Sequence, residues 1–222
     1  MSEVWNKIEA LAEHIKTQFE NTGWELEDPV SEYDWQNYLY QSMSYRRAHV
    51  QIIDRRDSHK VYILHATIFP HFNDPSPIWG FDAVCGPNKI TGAFHDFSSS
   101  GERHHAMMSW FAEEGKKYGW TKPRELPEWA KNIFSEHMIA AGNVQESKEL
   151  DDLCTLTKDS LAYYLKNVGL TQQDVADYHM AQNRYCYYQK QNPHVVRSMV
   201  SMGVEEHLIK RFVNEIQYPE IA

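Results

Sequence analysis

The stretch IWGFDAVCGPNKITGAFHDF, residues 78–97, decides which fold this chain can adopt. Its two halves, IWGFDAVC and KITGAFHDF, are rich in the β-branched and aromatic residues that are typical of strands. The tripeptide Gly86-Pro87-Asn88 lies between them and has the composition of a short turn. The pattern therefore predicts two antiparallel strands joined as a hairpin.

Two more strands are predicted upstream of this hairpin. In AHVQII, residues 48–53, the apolar residues Ala48, Val50 and Ile52 alternate with His49 and Gln51. The run VYILHATIF, residues 61–69, again combines β-branched and aromatic residues. The centre of the chain is therefore predicted to form an antiparallel sheet.

Helical periodicity flanks the predicted sheet on both sides. Apolar residues recur every three or four positions from residue 3 to residue 20, after Ser2 as a possible cap. Beyond residue 100 we predict helices over residues 102–118 and 127–139, one opened by Asn143-x-x-Glu146, one opened by Thr171-x-x-Asp174, and a last one carrying Val204, Leu208, Phe212 and Ile216. Strands grouped between helices indicate an α+β fold, with residues 1–222 forming one domain around an antiparallel sheet covered by helices.

Composition excludes several classes of partner and compartment. The formal net charge of −9 and the absence of a basic stripe argue against nucleic-acid binding. There is no run of about 18 apolar residues and no signal peptide at the N-terminus, so we expect a cytoplasmic protein without a membrane partner. The three cysteines are far apart and have no histidine at zinc-site spacing, which predicts reduced thiols and no metal site.

Four polar residues stand in the predicted strands at positions where a core strand would carry apolar ones. Period-two geometry places His49 and Gln51 on one face of their strand. It also places His65 on one face of the second strand and Asp82 on one face of the third. If these faces coincide, the four side chains line one pocket, beside Gly80, which leaves room for a flat ligand. Each residue alone is more often a hydrogen-bonded core group than a catalyst, so the sequence weighs the two interpretations evenly.

Motifs for other enzyme classes are missing. The chain has no GxGxxG after a strand, no GxxxxGK[ST], no HExxH and no GxSxG, so nucleotide, zinc-hydrolase and nucleophile-elbow chemistries lack support. The neighbouring His104 and His105 would point about 100° apart on a helix and are poor joint metal ligands.

Three long strings resemble the ferredoxin-dependent bilin reductases. The run FPHFNDPSPIWGFDAVCGPNKITGAFHDFS at residues 69–98 is similar to the central signature of that family, and RELPEWAKNIFSEH at residues 124–137 is similar to a second stretch. The string YCYYQKQNPHVVRSM at residues 185–199 resembles the phycocyanobilin:ferredoxin oxidoreductase branch. Within that branch the chain is similar to the phage-encoded phycoerythrobilin synthases of the PcyX type.

The resemblance implies an α/β/α sandwich in which biliverdin lies between the sheet and the C-terminal helices. It implies that Asp82 is the catalytic aspartate, that His65 is the catalytic histidine, and that His49 bonds to His65. It also implies that a [2Fe-2S] ferredoxin supplies the electrons and that the enzyme itself binds no metal or flavin. We expect the protein to be a monomer. Asp82, its pKa raised by burial, would supply protons to the bilin, with His65 as relay.

Two departures from the family pattern bear on the product and on the propionate contacts. Gln51 stands where the phycocyanobilin branch carries a glutamate that protonates the D-ring vinyl group, so phycoerythrobilin, formed through 15,16-dihydrobiliverdin, is the expected product. Gly142 stands where relatives carry an arginine on a propionate. The remaining candidates for substrate contacts are Asn192, which either orients the ligand or only breaks a helix before Pro193, and the basic residues Lys89, Lys122, Arg124, His194 and Arg197.

The resemblance leaves other outcomes open. The protein could stop at 15,16-dihydrobiliverdin, could form phycocyanobilin, or could bind a bilin without reducing it. Retention of both Asp82 and His65 argues against a carrier that only binds.

Overall fold

A seven-stranded antiparallel sheet forms the centre of the computed structural model, which describes residues 2–27, 34–101 and 104–221. The strands lie in chain order, β1 to β7, so that every neighbour in space is also a neighbour in sequence. Their bounds are Trp24–Leu26, Gln36–Gln41, Tyr45–Arg55, Val61–Pro70, Ile78–Cys85, Ile90–Ser98 and Ile139–Val144. The four predicted strands are confirmed as β3 to β6, and the Gly86 N–H closes the predicted turn by donating to the Lys89 carbonyl.

Helices cover both faces of this sheet. On one face lie α1 (Glu3–Thr22), which Ser2 caps as predicted, α2 (Ala106–Gly115) and α3 (Ser147–Asn167). On the other face lie α4 (His179–Gln189), α5 (Pro193–Ser201) and α6 (Glu206–Phe212). Two hydrophobic cores separate these layers, one beneath α1 to α3 and one beneath α4 to α6. The predicted three-layer α+β sandwich is confirmed.

The helix predicted over residues 127–139 is wrong. Only a single 3-10 turn, Ala130–Asn132, forms there, and residue 139 already begins β7. The helix does not continue past this turn, and the backbone N–H and the hydroxyl of Ser135 both donate to the buried carboxylate of Asp96. The apolar side chains of Trp129, Ile133 and Phe134 instead pack in the core beneath α4 to α6.

Three helix starts also differ from the prediction. The helix expected at Asn143-x-x-Glu146 begins at Ser147, because Asn143 still belongs to β7 and has a positive φ of 51°. The helix expected at Thr171-x-x-Asp174 begins only at His179, because the Thr171 hydroxyl donates to Asp74 instead of capping. The helix predicted over 102–118 is shorter in the structure, and residues 102 and 103 lie outside the described part of the chain.

The C-terminal segment contains an irregular turn. The α6 helix is followed without interruption by a π-helical turn, Val213–Gln217, which widens the helix by one residue. In the described ranges, none of the helices has the length and apolar character needed to cross a membrane.

Candidate active site

A row of polar side chains crosses the sheet on the face beneath α4 to α6. Gln51 on β3 pairs with His65 on β4, and His65 pairs with Asp82 on β5. The next residue in the same row is Phe94 on β6. Since directly paired residues in antiparallel strands point to the same face, Gln51, His65 and Asp82 are immediate neighbours on one surface.

The two central members of this row are close enough to interact. His65 Nδ1 lies 3.7 Å from Asp82 Oδ1, a distance that a bound ligand could shorten to a hydrogen bond. The His65 side chain is 7% exposed, whereas that of Asp82 keeps 36% exposure towards the cavity. Asp82 is therefore less buried than the sequence analysis expected.

A second row lies next to the first and contains His49, Thr67, Gly80 and Asp96. His49 is fully buried, and this burial holds the pKa of its imidazole well below the usual value, so the ring is neutral. Its Nε2 is hydrogen-bonded to Asn37, and its ring centroid lies 5.9 Å from that of His65. His49 thus packs beside His65 without lining the cavity, and the structure shows a ring contact where the resemblance implied a bond.

A cavity of about 390 Å³ lies above the polar row, between the sheet, the C-terminal helices and the segment 124–138. Its volume falls in the range of sites for small organic ligands. The side chains around it include Gln51, His65, Thr67, Asp82, Tyr185 and Tyr218. Several buried polar atoms at or beside the cavity have no hydrogen-bond partner within the described ranges: His49 Nδ1, Gln51 Nε2, His65 Nε2, Thr67 Oγ1 and Gln217 Oε1. Such atoms are costly unless a ligand or water satisfies them.

The predicted substrate-binding residues divide into two groups. Asn192 and His194 line the cavity, and the Asn192 side chain also caps α5 by accepting from the His194 backbone N–H. Lys89 and Arg197 do not line it, so direct contact with a ligand inside the cavity is not supported. Lys89 is half-buried in the β5–β6 turn. Arg197 is exposed on α5, whose residues Val195, Ser198 and Met199 line the cavity.

Gly80 lines the cavity, next to Tyr185 of α4. A Cβ at this position would lie 3.6 Å from the Tyr185 hydroxyl, which is an ordinary van der Waals contact. The Tyr185 hydroxyl in turn accepts a hydrogen bond from Gln189. A side chain of α4 thus lies within van der Waals range of Gly80, and the close approach of a flat ligand to this glycine stays a prediction.

Sequence reasoning missed a second carboxylate at the cavity, that of Asp96. Its side chain is buried and accepts hydrogen bonds from Ser98 and from both donors of Ser135. Burial raises the pKa of Asp96, while these hydrogen bonds act in the opposite direction. A signal was present, because period-two geometry in KITGAFHDF places Asp96 on the same face as Phe94.

A pair of glycines gives an arginine access to the cavity. Gly92 and Gly142 are direct partners on β6 and β7, and a Cβ on Gly142 would lie 2.6 Å from Arg124 Nε. The Arg124 side chain therefore crosses the sheet over the two glycines, and its Nη2 donates to the Thr91 carbonyl at 2.6 Å. Arg124 lines the cavity, so a guanidinium lies beside the position where Gly142 has no side chain.

Comparison with known proteins assigns this chain to a family. The model of the ferredoxin-dependent bilin reductases matches residues 2–219. This chain belongs to the ferredoxin-dependent bilin reductase family. The resemblance inferred from residues 69–98 and 124–137 is thereby confirmed.

Relatives with established names support this bilin reductase assignment. A phycocyanobilin:ferredoxin oxidoreductase of Trichodesmium erythraeum is 26% identical over 71% of this chain and 65% of its own length. A protein of the same name from Prochlorococcus marinus strain MIT 9313 is 27% identical over 83% of this chain and 70% of its own length. The chain thus spans about two thirds of the length of these two relatives.

Solved structures share the fold of this bilin reductase. A structure of PcyX superimposes with a TM-score of 0.69 and 22% identity, covering 97% of this chain and 99% of the other. Phytochromobilin synthase from tomato, crystallised with biliverdin, gives a TM-score of 0.74 and 14% identity over 95% of this chain and 82% of the other. At these identities the likeness establishes the sandwich fold alone.

Proposed function

We propose that this protein reduces biliverdin IXα to phycoerythrobilin through 15,16-dihydrobiliverdin, with electrons from a [2Fe-2S] ferredoxin. The overall change adds four electrons and four protons to the bilin, in two successive two-electron steps. Because ferredoxin transfers one electron at a time, the bilin passes through radical states and must take up protons between transfers. The role of the protein is to hold the bilin and to deliver those protons.

The unbroken row Gln51, His65 and Asp82 carries this proposal. It gives the cavity a carboxyl group and an imidazole 3.7 Å apart, on the wall formed by the sheet. Asp82 is the member of the pair that is open to the cavity, and it would donate protons to the pyrrole system. His65, more deeply buried, would return a proton to Asp82 or donate to the bilin directly.

The choice of product rests on Gln51. A primary amide at neutral pH has no acidic proton to give to a vinyl group, so reduction of the D-ring vinyl has no donor at this position. Reduction is then directed to the bridge between rings C and D and to the A-ring diene, where Asp82 and His65 can supply protons.

The bilin propionates need a cation or hydrogen-bond donors, and two candidates line the cavity. Arg124 lies over Gly92 and Gly142, and its guanidinium could bind a carboxylate with two parallel hydrogen bonds. His194 at the start of α5 is the second candidate. Arg124, from the loop before β7, would then take the place of the arginine that relatives carry on β7 at the position of Gly142.

Product analysis of an anaerobic assay with biliverdin, ferredoxin and a ferredoxin-reducing system tests the proposal. We expect phycoerythrobilin, with 15,16-dihydrobiliverdin as the intermediate, identified by chromatography against standards. Gln51→Glu restores a carboxylic acid without changing side-chain size, and we expect it to divert part of the product to vinyl reduction.

Each alternative has its own outcome in this assay. Phycocyanobilin or 18¹,18²-dihydrobiliverdin from the unmodified protein would refute the assignment of Gln51. A final product of 15,16-dihydrobiliverdin would limit the activity to two electrons, and a bound but unchanged bilin would make the protein a carrier.

A further inference from the structure

The π-helical turn Val213–Gln217 brings a residue to the cavity that the sequence analysis did not single out. The backbone N–H of Tyr218 donates to the Val213 carbonyl, five residues back, at 2.9 Å. Gln217 and Tyr218 both line the cavity, and the Gln217 side chain is buried, with 4% exposure. Turns of this kind are frequent at functional sites, because the extra residue redirects neighbouring side chains.

Gln217, at the end of the π-helical turn, forms an amide pair with Gln51 of the sheet. Gln217 Nε2 donates to Gln51 Oε1 at 3.4 Å, and both side chains are buried. The other two amide atoms, Gln51 Nε2 and Gln217 Oε1, have no partner among residues 2–27, 34–101 and 104–221. The pair thus presents one free donor group and one free acceptor at the cavity.

The presence of one free donor and one free acceptor does not depend on which end of each amide is the oxygen. Each primary amide carries one oxygen that accepts and one nitrogen that donates. If both amides were rotated end for end, Gln51 would donate to Gln217, and the pair would still present one donor and one acceptor. The two residue types and their contact therefore determine that a ligand must provide one hydrogen-bond acceptor and one donor.

We propose that Gln51 and Gln217 together form a binding site for a lactam edge. A lactam carries an N–H and a C=O side by side on one edge of its ring, so it can donate to the free carbonyl and accept from the free NH₂ group at once. A carboxylate offers acceptors only, and a vinyl group offers neither. The inference rests on the proposed function and names the part of the substrate that this pair recognises, a terminal lactam ring of an open-chain tetrapyrrole.

The surroundings of the pair strengthen such contacts. The apolar side chains of Ile53 and Ile63 line the same cavity, and Gln51 and Gln217 are almost completely removed from solvent. Hydrogen bonds are electrostatically stronger in such an environment than in water, and the cost of leaving the amides unsatisfied is higher. A ring held there also lies next to His65, the direct neighbour of Gln51 on the sheet.

The test compares two ligands on three proteins. Biliverdin and a derivative whose terminal lactams are O-methylated are titrated by absorbance against the unmodified protein, Gln217→Leu and Gln51→Leu. O-methylation removes the lactam N–H and converts the C=O to an ether, so it removes the hydrogen bonds and leaves the rest of the bilin in place. We expect the unmodified protein to bind biliverdin at least about tenfold more tightly than the derivative.

Gln217→Leu should lower the affinity for biliverdin by about tenfold and leave the affinity for the derivative nearly unchanged. Gln217→Met, which keeps the side-chain length, should behave in the same way and replaces the leucine variant if that one does not fold. Gln189→Leu is the matched control, because this buried glutamine also lines the cavity but bonds to Tyr185. It should leave the ratio of the two affinities as in the unmodified protein.

Equal losses of affinity for both ligands in the Gln217 variants would assign Gln217 to packing and overturn the lactam site. Unchanged affinity for biliverdin would overturn it as well. In both cases an unmodified protein that still binds and reduces biliverdin would leave the proposed function standing. If the unmodified protein does not bind biliverdin, the proposed function and the lactam site both fail.

Discussion

The buried imidazole of His95 makes the stability of this protein dependent on pH. His95 lies on the face of the sheet beneath α1 to α3, and burial lowers its pKa from 6.5 to about 4. Its Nδ1 lies 2.7 Å from the Gly80 carbonyl, which can only accept, so Nδ1 carries the proton. Nε2 therefore accepts from the Ser160 hydroxyl at 2.7 Å, and the Trp79 N–H donates to the same Ser160 oxygen. The ring is neutral and fully hydrogen-bonded.

Acid lowers the stability of the folded protein, because the unfolded chain binds a proton on His95 more readily. As the pH falls below 6.5, the unfolded chain binds a proton on His95 and the folded chain does not, so stability is full above pH 6.5 and is lost as the pH falls towards 4. Between pH 7 and pH 5 the loss from this one residue is about 2 kcal/mol, and below pH 4 it approaches about 3 kcal/mol.

Replacement by glutamine isolates this contribution. His95→Gln keeps one donor and one acceptor but does not titrate, and we expect it to cost about 1 to 3 kcal/mol at pH 7 through poorer buried hydrogen bonds. The difference between the two proteins should shrink by about 2 kcal/mol at pH 5. Other titrating groups cancel in this difference, including Asp96, whose raised pKa acts in the opposite direction.

Urea denaturation followed by circular dichroism at pH 7, 6 and 5 measures the free energies of unfolding. His104→Gln removes an exposed histidine instead and should give the same difference from the unmodified protein at each pH. A difference for His95→Gln that stays constant from pH 7 to pH 5 would refute the reasoning, because it would mean that His95 has the same pKa in both states.

Two further substitutions test the site. Asp82→Asn keeps the shape and hydrogen bonds of the side chain but removes the acid. We therefore expect biliverdin affinity to be retained and turnover, measured by the loss of bilin absorbance, to fall by a factor of about 10² to 10⁴. Turnover at the unmodified rate would make Asp82 structural. Arg124→Met removes the guanidinium from the cavity, so biliverdin should bind about tenfold more weakly while its dimethyl ester, which has no propionate charge, binds as before. Arg197→Met, an exposed arginine outside the cavity lining, should change neither affinity, and an equal loss for both ligands with Arg124→Met would point to packing instead.

The parts of the fold that the sequence predicted are those with a strong local signal. The strands β3 to β6 are each eight residues or longer and carry β-branched and aromatic side chains, so periodicity was sufficient to find them. The strand β7 has the sequence IAAGNV, in which three small residues provide no comparable pattern. It forms because its backbone pairs with β6, and its glycine lies beneath the side chain of Arg124.

The same distinction applies to the site. The face shared by Gln51, His65 and Asp82 could be predicted because alternation along a strand depends on the strand alone. Gln217 could not, because it meets Gln51 across 166 positions of the chain and only through an irregular turn at the end of α6. Arg124 lies in a segment without periodicity, so its position depends on the hollow over Gly92 and Gly142.

The polar groups on the two faces of the sheet differ in what they offer to a ligand. His95, Ser160 and Trp79 form a closed set of hydrogen bonds beneath α1 to α3, and such a set stabilises the fold without offering anything to a ligand. His65 and Gln51, beneath α4 to α6, each keep a buried atom without a partner within the described residues. Each such atom costs about 1 to 3 kcal/mol of stability, and several of them surround one cavity. A ligand that takes over these hydrogen bonds from water must offer matching donors and acceptors, so the unpaired atoms select among ligands by chemical type.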